Sequence, residues 1–481
     1  IVRSATKVTA GLLAHASRLR AIGRAGVGVD NVDLEAATRK GVVVMNTPGG
    51  NAVSVAEHTM ALLLALARRL PQADSSMKSA KWEKKRLLGM ELRSKTLGLI
   101  GLGQIGTEVA HLAQAFQMEV IAYDPYVSSL LAADQNIKLV SLEELLKSSD
   151  FISLHATATP ETRHMLNAGT LALVKPGVRI INCARGGLLD EDALLQALES
   201  GQVAGAGLDV FESEPPKDFR LAAHPNVIAT PHIAGSTEEA QEIVGIRIAE
   251  QVRDYLLRGV ARNAVNMPSV SPEEYKKLEP YLQLGEKLGS FLVQIAGGRL
   301  QEVHLSYDGG LAELNTHLVK NATLKGILSR VLSEPVNLVN AGPLAQTRGI
   351  EVIELRSARR AAFSNSLGIA LRTETDAASV LGMVGMRGTL RVLGISDIDI
   401  EAPLRGIILF IRNQDVPGVI GRVGTLLGDN NINIANFALG RNQRAQEAIG
   451  LVNVDDPIPE AVLAQIRAIP AVRAARLVSI E

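Results

Sequence analysis

The sequence predicts an α/β protein built on a doubly wound parallel sheet of Rossmann type, with smaller α+β domains after it. Three observations carry this. Strand-like and helix-like stretches alternate over roughly the first half of the chain, as a parallel sheet with crossover helices requires. A glycine-rich turn, Gly101-Leu-Gly103-Gln-Ile-Gly106, stands between the strand-like Thr96-Leu-Gly-Leu-Ile100 and a helical run, and Asp124 closes the strand that follows. Residues 405–481 read as βαββαβ, a separate sheet-and-helix module.

The stretch from Thr96 to Asp124 organises the rest. Gly101 permits a sharp turn, Gly103 lets backbone N–H groups approach a pyrophosphate, and Gly106 lets the helix meet the sheet closely. The helix N-terminus then faces the negative charge. Asp124 can accept hydrogen bonds from ribose hydroxyls and repels a 2′-phosphate, which favours NAD over NADP.

Composition bounds the remainder. The chain has 481 residues, 47% of them hydrophobic, and 50 basic side chains balance 50 acidic ones, so no basic field draws nucleic acid or anionic membrane. The most apolar run, Leu62-Leu-Leu-Ala-Leu-Ala, is bracketed by His58 and Arg68-Arg69 and is too short to span a bilayer. A single cysteine, Cys183, excludes an intrachain disulfide and suits a reducing compartment. With no charged start and apolar signal core, the expectation is a cytosolic protein. No metal-ligand set is expected.

Taken in order, residues 1–50 read as strand (Ile1-Val2), helix (Thr9 to Ser17), strand (Leu19 to Gly23), the turn Ala25-Gly-Val27-Gly-Val-Asp30, a short helix, and strand Gly41 to Asn46: about three strands, fewer than a doubly wound lobe usually has. Arg3 and Arg24 close two of these strands, where open α/β sheets place ligands; two arginines suit a phosphorylated or dicarboxylate substrate. Asn51 to Leu70 reads as one long helix. Lys81-Trp82-Glu83-Lys84-Lys85 is a charged segment carrying the only Trp, either an interface anchor or a ring buried beneath lysine stems. Past Asp124 the alternation continues: helix Leu142 to Lys147, strand Phe151 to His155, helix Gly169 to Val174, strand Val178 to Asn182, helix Ala193 to Ser200, strand Ala204 to Val210, and a return helix from Thr237 to Leu257.

Three loops after such strands carry polar groups. They are Asn182-Cys-Ala-Arg185-Gly-Gly187, where flanking glycine leaves room for the arginine to reach out, Asp209-Val-Phe-Glu-Ser-Glu214-Pro-Pro, and Asn226-Val-Ile-Ala-Thr-Pro231-His232-Ile-Ala-Gly235-Ser. Cation, carboxylate and imidazole form the set that moves a hydride and a proton at a carbinol: the arginine orients, the imidazole exchanges the hydroxyl proton, and the carboxylate holds the ring. By residue type alone Glu214 equally starts a proline turn, Arg185 pairs on the surface, and His232 caps a helix.

These loops, with Arg3-Ser-Ala-Thr-Lys-Val-Thr, Gly23-Arg-Ala-Gly-Val-Gly-Val-Asp-Asn-Val-Asp33 and Met45-Asn-Thr-Pro-Gly-Gly-Asn51, resemble the D-isomer-specific 2-hydroxyacid dehydrogenase family in its long form, over essentially the whole chain. The resemblance implies NAD-dependent oxidation of 3-phosphoglycerate to 3-phosphohydroxypyruvate, the entry step of serine synthesis. It implies Arg185 on the substrate carboxylate, His232 as acid/base, Glu214 as its partner, and Arg3 and Arg24 on the substrate's phosphate or carboxylate end. Cofactor contacts are implied at Gly101, Gly103, Gln104, Ile105, Gly106, Asp124, Cys183, Ala184, Arg185, Asp209, His232 and Gly235. Val27 and Ala156 stand where the family usually has Thr beside the nicotinamide nucleotide, and Gln104 where it usually has Arg; losing two hydroxyls and a cation implies a weaker hold on the cofactor.

The resemblance divides the chain into a split flavodoxin-like substrate lobe (1–50 and 234–260), an NAD-binding domain (51–233), an intervening regulatory domain (261–404) and an ACT-like domain (405–481). Relatives begin well upstream of Ile1, so the substrate lobe is expected to lack its first strands, and this chain expressed alone to expose sheet edge and turn over poorly. In the last module Asp415-Val-Pro-Gly418 precedes a helix and Asn431-Ile-Asn433-Ile434 follows it, resembling an ACT fold. Serine-regulated relatives meet their ligand with a His and two Asn; here Asn413 and Asp415 replace the first two and only Asn433 is kept, so serine feedback is not expected. Self-association to a tetramer through the nucleotide lobe is expected, with no nucleic-acid or membrane partner. Two other readings use the same fold: an NAD-sensing corepressor, which would end in a disordered tail, and an inactive sensing scaffold.

Overall fold

Leu97 and Leu99 turn to one face of a strand and Gly98 and Ile100 to the other, and all four are buried, so Thr96–Ile100 has no solvent side. In the computed structural model, which describes residues 1–357, 365–442 and 446–480, this strand is an interior strand, third in the order, of a seven-stranded sheet. Along the sheet the strands are Lys138–Leu139, Glu119–Tyr123, Thr96–Ile100, Phe151–Leu154, Val178–Asn182, Val203–Leu208 and Val227–Ala229, every pair parallel. Helices cover both faces. Ala52–Arg68 and Gln104–Ala115 pack over Leu97, Leu99 and Ile181, while Leu142–Ser148 and Glu191–Glu199 pack over Ile100, Ile152 and Ile180. Each such leucine or isoleucine contributes about 1.5–3 kcal/mol by leaving water.

The strand order reverses between Thr96–Ile100 and Phe151–Leu154, opening a crevice beyond their carboxyl ends. This sheet belongs to a unit made of Ala25–Val27 and Thr47–Arg247. The long helix expected from Asn51 to Leu70 breaks: Arg69 adopts a left-handed conformation (φ 50°), and a second helix, Leu70–Lys78, restarts with Pro71 in its first turn, where the missing N–H is harmless. The Lys138–Leu139 strand and the Ser129–Asp134 helix before it were not anticipated; at two and six residues they are too short for a periodic pattern.

The other unit comprises Ile1–Arg24, Gly28–Asn46 and Ile248–Glu481. Its first residues form a two-stranded parallel sheet, Ala21–Gly23 with Val43–Met45, around Leu13, Ile22, Ala37 and Val44. Ile1-Val2 is not a strand; Val2 makes a single bridge to Arg24. Further on, Ser271 and Glu274 form a reciprocal capping box that starts the Pro272–Ile295 helix, which packs on a six-stranded mixed sheet spanning Leu300 to Pro403. The last module has the expected βαββαβ order: Gly406–Gln414, Val419–Asp429, Ile434–Asn442, Glu447–Val454, Glu460–Arg467, Val472–Ile480. Part of its charged hairpin turn, 443–445, lies outside the described residues. Among the described residues no helix is long and apolar enough to cross a membrane.

Candidate active site

The glycine turn is built as its sequence requires. Gly101 has φ +98°, and an added Cβ there would stand 2.7 Å from the carbonyl carbon of His155 and 2.9 Å from the nitrogen of Ala156, so the two loops flanking the crevice touch through it. At Gly106 a Cβ would fall on the Gly101 carbonyl, which is the close helix–strand packing anticipated. Gly103 is different: a Cβ would meet nothing within 4 Å, so this glycine keeps clear the space before the N-terminus of Gln104–Ala115, where no side chain caps the first turn. Backbone N–H groups of Gln104 and Ile105 are thus available to an anion. Asp124 ends the neighbouring strand; its Oδ2 accepts the Leu102 N–H at 2.8 Å and its Oδ1 the Tyr126 N–H at 2.9 Å. This donor set, with a carboxylate one strand over, fits a dinucleotide.

Asn182, fully buried, braces the arginine loop from within: Oδ1 accepts the Ala184 N–H at 3.1 Å and Nδ2 donates to the Arg185 carbonyl at 2.9 Å. Arg185 itself is half-buried and donates to the Ala184 carbonyl at 2.7 Å. Of the glycines flanking this arginine, Gly187 has open space around it, whereas at Gly186 a Cβ would fall on the backbone of Phe211 and Glu212. That glycine lets the arginine loop lie against the loop carrying Glu214.

His232 sits in a left-handed turn (φ 54°) with its Nδ1 2.6 Å from Glu214 Oε2. The other carboxylate oxygen of Glu214 accepts the Phe211 N–H at 3.3 Å. The hydrogen bond to Glu214 raises the His232 pKa above the usual imidazole value, against burial and the Arg185 charge, with the charges of Glu214 and Asp209 adding to the rise. Burial works to raise Glu214, yet its bond and attraction to His232 outweigh that and hold its carboxyl below the usual range, with Arg185 helping. The guanidinium therefore bears on both partners, and the structure brings Arg185, Glu214 and His232 together. A cavity of about 360 Å³ lies against the pair, walled by Phe211, Pro216, Phe219 and Pro231.

The turn holding His232 is clasped by Asp209, which is fully buried. Its carbonyl accepts the His232 N–H at 2.8 Å; Oδ1 accepts the Thr230 hydroxyl at 2.6 Å and the Ile233 N–H at 2.8 Å, and Oδ2 the Ala234 N–H at 2.8 Å. His58, from the Ala52–Arg68 helix, reaches this clasp with Nε2 3.1 Å from Thr230 Oγ1 and 3.6 Å from Asp209 Oδ1. Sequence reading missed both His58 and Thr230. The hint available was an imidazole in a helix that is mostly apolar.

Of the other expected residues, Cys183 is buried and its thiol is pushed up to about 12 by burial, so it stays protonated and is no nucleophile. Gln104 folds its side chain over Gly49, filling the place of a Cβ, and Gly235 keeps clear of the Asn51 amide in the same way. Val27 and Ala156 are both partly exposed. Arg3 and Arg24 belong to the other unit; Arg3 is exposed and its carbonyl accepts from Asn31 at 3.0 Å, while the Arg24 N–H donates to Met45 at 2.8 Å. Trp82 is 80% exposed, not buried under the lysines. In the last module Asp415 pairs with Arg441 at 2.7 Å, Asn433 donates to Asp455 at 2.6 Å, and Asn413 donates to the Gln414 carbonyl at 2.6 Å.

Comparison with known proteins gives three family matches: the NAD-binding domain of D-isomer specific 2-hydroxyacid dehydrogenases over residues 60–234, the D-3-phosphoglycerate dehydrogenase intervening domain over 277–396, and the ACT domain over 407–471. The chain is 45% identical over 481 residues to a D-3-phosphoglycerate dehydrogenase of Synechocystis, covering 100% of this chain and 87% of that protein. It is 44% identical to one from Methanocaldococcus jannaschii (98% and 90% covered) and 41% identical to one from Homo sapiens (91% and 83%). Among solved structures it is similar to a D-lactate dehydrogenase from Aquifex aeolicus complexed with NAD and lactic acid: TM-score 0.51, 37% identity, covering 56% of this chain and 86% of that one.

Proposed function

The chain belongs to the D-3-phosphoglycerate dehydrogenase family, and from that premise we propose that it oxidises 3-phosphoglycerate to 3-phosphohydroxypyruvate with NAD, the first step of L-serine biosynthesis. The observation that most supports this reading is the 2.6 Å bond from His232 to Glu214, whose loop abuts the arginine loop at Gly186.

NAD, when bound, supplies the hydride acceptor. On this reading Gly101, Gly103, Gln104, Ile105, Gly106 and Asp124 hold its pyrophosphate and ribose, with Val27, Ala156, Cys183, Ala184, Asp209 and Gly235 on the nicotinamide side. Glu214 accepts from Nδ1–H and so fixes the tautomer of His232 in which Nε2 carries the lone pair. Nε2 takes the proton of the substrate hydroxyl, and Glu214 stabilises the imidazolium that forms. Arg185 orients the substrate carboxylate, which suits a planar fork of donors. Arg3 and Arg24 take the phosphate end. On this reading residues 51–233 form the NAD-binding domain, which also supplies Arg185, Glu214 and His232, 1–50 with 234–260 form the substrate lobe, and 261–404 and 405–481 have regulatory roles.

A cytosolic, homo-oligomeric protein is part of the same reading, supported by a lone buried cysteine and by the exposed Trp82 and Leu88 on the nucleotide-binding unit. NADH formation from 3-phosphoglycerate by the purified chain tests the proposal, with His232→Ala as control. Turnover in the control equal to that of the unmutated protein overturns it.

A further inference from the structure

His58 lies outside the groups that carry the proposed chemistry, yet its ring is aimed at them. The Ala52–Arg68 helix buries Val55, Leu62 and Leu66 against its unit, and a partly buried imidazole beside them needs polar partners for its ring nitrogens. Its partners supply one. The carboxylate of Asp209 only accepts, so the Thr230 hydroxyl proton points at Oδ1, 2.6 Å away. Thr230 Oγ1 is left as an acceptor, and the His58 nitrogen 3.1 Å from it must be Nε2–H, the donor. A directed chain results: His58 donates to Thr230, Thr230 donates to Asp209, and Asp209 gathers the N–H groups of Ile233 and Ala234 with its carboxylate and that of His232 with its carbonyl.

The segment so gathered is strained. His232 has φ 54°, a conformation that disfavours a bulky side chain, and only the surrounding bonds hold it there. Its side chain is 51% exposed, so packing does little to fix it. The backbone clasp does that instead, and the clasp is set from behind by His58.

We propose that His58 is a positioning residue for proton transfer: by donating Nε2–H to Thr230 it locks the Asp209 clasp, which holds the left-handed turn that keeps His232 on Glu214. This rests on reading His232 as the acid–base group. The charged groups bearing on His232 are Glu214, Asp209 and Arg185, and none of them is removed by changing His58.

Three variants of the full chain test it: His58→Leu, which removes the donor; His58→Gln, which returns an N–H at a similar reach; and Thr230→Val, which removes the relay at nearly constant shape. Two readouts are used. One is kcat and KM for 3-phosphoglycerate. The other is the titration of the His232 ring by NMR of histidine-labelled protein, its resonance identified with His232→Ala. Loosening the turn by a fraction of an ångström is expected to cost roughly tenfold in kcat with KM changed less than about twofold, and to move the His232 titration toward that of an ordinary imidazole. His58→Gln should restore both, and Thr230→Val should reproduce His58→Leu; if His58→Leu fails to fold, Thr230→Val carries the expectation. An unchanged His232 titration in His58→Leu or Thr230→Val overturns the proposal, as does a glutamine variant no better than leucine. Retained turnover in His232→Ala would instead sink the acid–base reading, while the titration still decides the role of His58.

Discussion

Two polar clusters in this chain stand at equivalent places, a loop between strand and helix, and they are finished differently. In the last module Asp415, Asn433 and Asn413 are each closed on a neighbour: Arg441, Asp455 and the Gln414 carbonyl. In the loops beyond the parallel sheet the buried members are closed in the same way, since Asp209 and Asn182 give their oxygens to backbone N–H groups and hydroxyls of the turns they carry. There, however, the outermost pair is an imidazole and a carboxylate, 2.6 Å apart, and their bond occupies Nδ1 of the ring and leaves Nε2 for a proton. Polar residues near a loop are therefore weak grounds for a ligand site. What separates the two regions is a satisfied inner layer supporting a reactive outer one.

The comparison breaks most sharply at His232. Replacing it with Ala removes the imidazole held by Glu214 and should lower kcat by about 10³-fold, within the usual range for a lost acid–base group, with the fold unchanged by circular dichroism. Gly186→Ala comes next. A methyl group there has no place against Phe211 and Glu212, so the arginine and glutamate loops must part; a cost of about 1–3 kcal/mol in stability and a loss of activity larger than that of a surface glycine such as Gly421→Ala are expected from denaturant melts and steady-state rates.

Glu214→Gln should have a smaller effect on rate and a diagnostic one on pH. Because Glu214 raises the His232 pKa, the imidazolium persists to higher pH in the unmutated protein. Oxidation needs the neutral ring, so kcat/KM for oxidation climbs as pH rises through that raised value, and reduction of the keto acid falls over the same range. The variant moves both limbs to lower pH. For stability the signs combine. The histidine's contribution is fully present below its ordinary 6.5 and fades as pH rises through the raised value; the glutamate's is present above its ordinary 4.5 and fades as pH falls through the lowered one. The Tm difference between the two proteins should therefore be largest between 4.5 and 6.5, and small, because both side chains are substantially exposed.

The smallest effects belong to the self-closed cluster. Arg441→Ala should leave the denaturant midpoint almost unchanged, as expected for a solvent-exposed ion pair. Calorimetry with L-serine should give no saturable heat, since Asp415 and Asn433 are already paired within the module; micromolar binding would show that this cluster opens to ligand after all.

The glycine turn, its strand and helix, the acid at 124, the alternation into a parallel sheet and the βαββαβ end were all legible in the sequence, because each is local: periodicity, glycine spacing and strand ends are set within a few turns of chain. Three loops with cation, carboxylate and imidazole were legible too, as separate loops. Their meeting was not, for it depends on which strands lie side by side, and the reversal of strand order at Thr96–Ile100 is a long-range choice made by burying both faces of the sheet. The same holds for Gly186, whose need for glycine comes from Phe211, and for His58, whose partners lie 151 and 172 positions away. Sequence fixes which groups are available. Tertiary packing decides which of them face one another, since a hydrogen bond between distant residues leaves no periodic trace in either segment.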